Sequence, residues 1–302
     1  MVLSTEGLSK RFRRRTAVDE LSLTVERGDV YGFLGPNGAG KTTTLRMIVG
    51  LVRPTAGVVR VLGEPLTSRH RGALARVGAI IETPSLYGYL SGRDNLRMLA
   101  SLGGGCPESR IDAVIERVGL TGRERDPVRI YSHGMKQRLA IAAALLPAPE
   151  LILLDEPTNG LDPMGIRSVR ALVRSLAHDD GLTVLLSSHL LSEVQQICNR
   201  GTIIARGKTV WEGQVDELLA TRTHVRVRAR PVDQARAIIE RAGGSADVDP
   251  EDPGLTIVRG GPEPEALVEA LVAAGCRVGE ITRQTPSLEE IFVELVEPGE
   301  PS

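Results

Sequence analysis

The eight residues at positions 35–42, "GPNGAGKT", have the types and spacing needed to hold phosphate. An apolar stretch precedes them and a helical pattern follows, so the loop joins a strand to a helix N-terminus. Gly35, Gly38 and Gly40 let backbone N–H groups curl round phosphate oxygens without Cβ clashes, while Pro36, Asn37 and Ala39 complete the curve. The helix dipole adds a field that favours anions. Lys41 is placed to reach the β- and γ-phosphates of ATP, and Thr42 to offer its hydroxyl to Mg²⁺, with Thr43 beside it. The competing reading is a glycine-rich turn that matches by accident.

A second constellation supplies carboxylates. In "LILLDEPTNGLDP" an apolar run ends in Asp155 and Glu156. Asp155 at a strand end can hold Mg²⁺, and Glu156 can polarise an attacking water as general base; the plainer reading of Glu156 is a cap on the strand. Asp162 before Pro163 has the form of a helix N-cap followed by proline at the first helical position. In "YSHGMKQ", Ser132 and Gly134 open an amphipathic helix, a second anion-binding N-terminus. One ATP does not need two such sites in one chain, but the second can serve the ATP of a symmetry mate. His189, in "LLSSHLL", follows a buried strand, at the end where ligands of open α/β sheets gather, and would contact the γ-phosphate. Glu82 stands at the tip of a short apolar strand read over 77–81, a carboxylate at the end of a buried strand just before the turn signal Thr83-Pro84.

The elements that must position these groups can be read from periodicity. Strands are expected over 21–25, in "GDVYGFLG", over 151–155 and in "LTVLLSS", and a helix from Lys41. Residues 70 to about 147 read as mostly helical, with Ser91 and Asp94 in capping-box spacing. Strands alternating with helices argue for an α/β fold with a parallel sheet. Beyond about residue 220 the order becomes β-α-β-β-α-β plus a helix, which fits a small ferredoxin-like α+β domain. The expected domains are 1–220, with a helical subdomain at 83–147, then 221–297 and a frayed 298–302 tail.

The composition excludes several function classes. Over 302 residues the formal net charge is −1, so no global field draws nucleic acid or anionic membrane, and no nucleic-acid partner is expected. Three scattered cysteines, Cys106, Cys198 and Cys276, form neither a disulfide framework nor a metal site, which points to a reducing, cytoplasmic compartment. No apolar run of about 18 residues is present and the start lacks a signal-peptide core, so any membrane work is expected to go through a partner.

Taken in order, "GPNGAGKT", "YSHGMKQ", "LILLDEP", "NGLD" and "SSH" resemble the nucleotide-binding domain of an ABC transporter, over roughly residues 1–220. "YSHGMKQ" stands where that family has its LSGGQ signature. Ser132 and Gly134 match it, while His133 and Met135 depart from it; His133 is either a packing adjustment or an exposed bystander. The form is similar to that of bacitracin, lantibiotic and multidrug exporters. The resemblance implies a P-loop NTPase fold of ABC type: a parallel-sheet core, antiparallel N-terminal strands and a helical subdomain. It also implies that Phe12 stacks on adenine, against the alternative of a core Phe, and that two copies, identical or not, sandwich two ATP molecules. Each ATP would lie between one P-loop and the signature residues Ser132, His133, Gly134 and Met135 of the other copy, with Asp162 in the dimer-facing D-loop. A separate permease subunit at the inner face of the cell membrane would contact the segment after Glu82. Glu82 replaces a Gln that in the family meets Mg²⁺ and the attacking water, so it joins Glu156 and His189 in the expected catalytic set, and Thr42 and Asp155 in the metal set. The expected function is an ATPase powering an exporter of antibiotics, peptides or drugs. The alternatives are a soluble ABC ATPase without a transport role, or an importer ATPase. For the C-terminal domain, dimer stabilisation and regulation both stay open.

Overall fold

Wholly apolar runs in this chain become buried parallel strands, and alternating runs become half-buried antiparallel ones. The computed structural model describes residues 1–82, 85–249 and 252–296; the Thr83–Pro84 turn and the 298–302 tail expected from the sequence lie outside them. Two compact units divide at residues 215 and 216.

In the first unit the chain runs through β1 (Leu3–Phe12), β2 (Arg15–Val25), β3 (Val30–Leu34), α1 (Lys41–Ile48), β4 (Ala56–Val61), β5 (Glu64–Pro65) and β6 (Val77–Ile80). It continues through α2 (Gly92–Leu102), α3 (Glu108–Arg117), α4 (His133–Leu145), β7 (Leu151–Asp155), α5 (Pro163–His178), β8 (Thr183–Ser188), α6 (Leu191–Ile197), β9 (Arg200–Ala205) and β10 (Lys208–Gln214). One sheet has the order β10-β9-β3-β8-β7-β6, parallel except for the β9–β10 hairpin. A second, antiparallel sheet has the order β2-β1-β4-β5. Every residue of β3, β7 and β8 is buried. The core between the sheets gathers Leu3, Leu21, Phe33, Leu45, Ile48 and Leu153. This is a mixed α/β fold with a parallel-sheet core, antiparallel N-terminal strands and a helical stretch inserted between β6 and β7.

The stretch 70–147 is less continuously helical at its start: a 3-10 turn at 72–76 leads into β6, which matches the strand read over 77–81, and the helices begin at α2. The start of α2 is fixed by Ser91, whose hydroxyl accepts from the Asp94 N–H at 3.0 Å while donating to the Asp94 carboxylate at 2.6 Å. Burial pushes the Tyr31 phenol of β3 well up, so it stays neutral against Thr202 and Glu212. Cys198 is buried, and its thiol is likewise pushed up.

In the second unit, α7 (Val215–Arg222) leads into β11 (His224–Arg230), α8 (Val232–Arg241), β12 (Ser245–Val248), β13 (Thr256–Arg259), α9 (Pro264–Ala273), β14 (Arg277–Gln284) and α10 (Leu288–Val296). The sheet order is β12-β13-β11-β14, all antiparallel, as the β-α-β-β-α-β pattern predicts. Strand β11 shows the period of two. Val225, Val227 and Ala229 join the core with Ile239, Leu267 and Leu271, while Arg226 and Arg228 alternate with them and pair with Asp249 and Asp252 at 2.5 and 2.6 Å.

Candidate functional site

Parallel pairing sets the site. Leu34 lies level with Ser188, Ser187 with Asp155, and Leu154 with Ile80. The loops that follow β3, β8, β7 and β6 therefore leave the sheet side by side at its carboxyl edge. The residues after these strands are the glycine-rich loop, His189, Glu156 and Glu82.

Gly40 sits at the N-cap of α1 with φ 113°, and no side chain caps the helix. A Cβ on Gly40 would lie 2.6 Å from the Ala17 carbonyl, so the tight approach of β2 demands glycine there. The first N–H groups of α1 have no intrahelical acceptor and face an anion-binding position. Lys41, only 6% exposed, donates from Nζ to the Gly35 carbonyl at 2.6 Å and pairs with Glu156 Oε1 at 3.1 Å. Its ammonium is thereby held in the cradle that the loop forms.

The carboxylates are divided in their partners. Asp155 Oδ2 accepts from the Thr42 hydroxyl at 2.8 Å and Oδ1 from Ser187 at 2.5 Å. Glu156 takes φ 49° and is anchored by its N–H to the Ser187 hydroxyl at 3.0 Å. Its Oε2 lies 2.7 Å from His189 Nδ1. Glu156 is thus held between a lysine and a histidine, and Asp155 between two hydroxyls.

Phe12 is 46% exposed, which rules out the core-Phe alternative; Lys10 Nζ stands 4.9 Å from its ring centroid. It lines a cleft of about 540 Å³ together with Pro36, Asn37, Gly38, Gly40, Lys41, Thr42, Thr43, Glu156 and His189. Arg15 and Asn159 line it too, and Arg15 donates to the Gly38 carbonyl at 3.3 Å. Ala39 is buried against the core, and its carbonyl accepts from the Gly207 N–H at 3.0 Å. A neighbouring cleft of about 470 Å³ is lined by Glu82, His133, Asp155, Glu156 and Asn159 among others, so Glu156 and Asn159 border both.

Glu82 is not the buried strand tip that the sequence suggests. Strand β6 ends at Ile80, the Glu82 side chain is 62% exposed at φ 70°, and its carboxylate pairs with Arg46 of α1. It shares the second cleft with Asp155, but its ion pair is with Arg46. Ser132, Gly134, Met135 and Asp162 do not line the P-loop cleft. Ser132 caps α4 by accepting from the Met135 N–H at 3.2 Å, and Asp162 caps α5 by accepting from Gly165 at 2.9 Å. The N-cap reading of Asp162 with Pro163 at the first position is what the structure contains.

Three residues of this geometry went unassigned from sequence: Ser187, Arg15 and Asn159. Ser187 had a signal, because a hydroxyl at the carboxyl end of an otherwise apolar buried strand needs a polar partner. Arg15 falls within the basic run 10–15, whose composition by itself indicates only a solvated turn.

A family profile described as "ABC transporter" matches residues 18–159. The uncharacterized ABC transporter ATP-binding protein YhcH of Bacillus subtilis is 41% identical over 295 residues, 97% of this chain and 95% of that relative. This chain belongs to the family of ABC transporter ATP-binding proteins. The bacitracin transport ATP-binding protein BcrA of Bacillus licheniformis is 39% identical over 297 residues, 98% of this chain and 97% of that relative. Among solved structures, cbiO1 of Clostridium perfringens, described as part of the ABC transporter complex cbiONQ, aligns with a TM-score of 0.67 at 25% identity. That alignment covers 80% of this chain and 97% of the other. The chain is accordingly a nucleotide-binding ATPase of the ABC type, and no helix among the described residues is long and apolar enough to cross a membrane.

Proposed function

We propose that this chain is the ATP-hydrolysing subunit of an exporter of antibiotics, peptides or drugs, acting through a separate membrane permease. Full-length similarity to a bacitracin transport ATP-binding protein supports the exporter class. The observation that carries the enzymatic reading is Glu156, held between Lys41 and His189 at the mouth of the phosphate loop. In this reading residues 1–220 form the ATP-binding domain and 221–297 an accessory domain, and the chain works as a pair of copies on the inner face of the cell membrane.

The donor set fits Mg²⁺. The Thr42 hydroxyl and Asp155 carboxylate are hard oxygen donors 2.8 Å apart, and Mg²⁺ prefers one or two protein oxygens plus substrate phosphate. Glu82 is the third candidate ligand, at the cost of leaving Arg46. When bound, the ion would screen charge on the β- and γ-phosphates. Phe12 offers its exposed ring to the adenine, a stacking contact worth on the order of 1–3 kcal/mol. Loop N–H groups and Lys41 bind the triphosphate tail. The Glu156 carboxylate takes a proton from the attacking water, and His189, bonded to Oε2, orients that carboxylate and meets the γ-phosphate. Ser132, which accepts a bond from Met135, keeps its own hydrogen to donate to a phosphate of the partner copy, with His133, Gly134 and Met135 at the same helix start.

Two measurements test this reading. Replacing Glu156 by Gln should leave ATP binding intact and lower turnover by about 10²-fold or more; retained steady-state hydrolysis refutes the assigned base. Purification of the tagged full-length chain from its native membranes should bring down a multi-span membrane protein, and its absence counts against the transport role.

A further inference from the structure

We propose that Glu193 is a positioning residue that fixes the Glu156–His189 pair by holding Thr158; the proposal rests on the reading of Glu156 as the base. Glu193 lies in α6 and is 4% exposed, and one carboxylate oxygen, Oε2, accepts from the hydroxyl of Thr158, itself 5% exposed. A buried carboxylate is costly unless its partners are in place. Oε1 of Glu193 has no hydrogen-bond partner among the described residues, and Arg170 of α5 stands 3.7 Å away. The Thr158 hydroxyl is therefore the principal short contact of a buried charge.

The placement of this contact matters more than its strength. Thr158 comes two residues after Glu156, and Glu193 four residues after His189. Glu156 and His189 touch at 2.7 Å, so the two segments are tied twice, once at the reacting pair and once behind it. Glu156 has φ 49°, a conformation that costs a non-glycine residue of order 1–3 kcal/mol and persists only where the surroundings over-determine it. The Thr158–Glu193 bond is one such constraint. Helix α6 is in turn braced on α5, because Arg170 and Arg174 both donate to Gln196. Glu193 thereby links the segment after the base, the helix after the histidine, and the helix that Asp162 begins.

The test uses the full chain in three forms: Thr158→Val, Thr158→Ser and Glu193→Ala. Thr158→Val keeps the volume but exchanges the hydroxyl for a methyl, and the double variant Thr158→Val/Glu193→Ala leaves no stranded carboxylate, so it carries the test if a single variant fails to fold. Expected is a fall in kcat for ATP of about tenfold in Thr158→Val and Glu193→Ala with KM within about twofold, because a displaced catalytic group costs rate more than binding. Thr158→Ser should restore kcat, and the double variant should be no worse than the poorer single. A Thr158→Val protein with parental kcat overturns the proposal, as does a loss that Thr158→Ser does not restore. Glu156→Gln run beside them separates the two claims. If it abolishes turnover while Thr158→Val does not alter it, the base stands and the positioning role falls; if Glu156→Gln still turns over, the underlying reading fails.

Discussion

Two sets of residues in the first unit carry the sequence signals of phosphate chemistry, and they are held differently. Lys41, Thr42, Asp155, Glu156, Ser187 and His189 interlock, each bonded to another member of the set. Ser132 and Asp162 instead cap their own helices and do not line the cleft that the first set borders. The first set comes from the strand ends at Asp155 and Ser187, from the residues close after them, and from the start of α1 after β3, all brought level by parallel pairing, so the sheet assembles it. The second set comes from the starts of α4 and α5, whose caps bond within their own helices. The contrast supports a site with one half built in and the other half offered to a second copy.

The largest effect that can break this contrast comes from Lys41→Ala, which should lower turnover by roughly 10²-fold or more through loss of phosphate binding. Ser132→Ala alone should also be impaired, yet mixing it with Lys41→Ala should regain hydrolysis that neither shows alone. In a head-to-tail pair both defects fall in one site and leave the other intact; no gain on mixing would mean that Ser132 serves its own chain. Gly40→Ala comes next. With φ 113° and the Ala17 carbonyl 2.6 Å from the added Cβ, it should lose about 2 kcal/mol in denaturant unfolding and most of its ATP binding. A smaller loss belongs to the helix caps, where Ser91→Ala should cost about 1 kcal/mol with little change in ATP binding.

The smallest effect is a pH dependence. The Ser91 hydroxyl, helped by Arg97 and opposed by partial burial, holds the Asp94 carboxyl below the usual carboxylate range. A lowered folded pKa means that this contribution is present above the ordinary Asp pKa of about 4 and is lost as pH falls through the folded value. The stability difference between Ser91→Ala and the parent should therefore shrink as the melt is moved from pH 7 to pH 3.

What could be read in the sequence follows from how local the signal was. "LILLD" and "TVLLSS" are unbroken apolar runs between turn signals, so both buried strands were legible, and with them the order of the sheet-edge residues. "HVRVRAR" gave strand β11 through its alternation. Strand β1 was harder, because Gly7 at φ 56° and the register shifts after Thr5 break its alternation. The surroundings of Glu82 could not be read at all. Its partner Arg46 is 36 residues away on another element, and no local pattern announces that pairing. The same holds for Thr158 and Glu193, which are 35 residues apart.

One consequence follows from the 3.1 Å contact between Lys41 and Glu156. The lysine that must receive a polyanion already has a counter-ion, and that counter-ion is the carboxylate assigned to proton transfer. On the proposed assignment, nucleotide binding is an exchange of anions: phosphate displaces Glu156 from Lys41, and the same event frees Glu156 to face water. Loading and arming the site become one equilibrium. A neutral residue at 156 removes the competitor, so Glu156→Gln, although slow in turnover, should bind ATP at least as tightly as the parent.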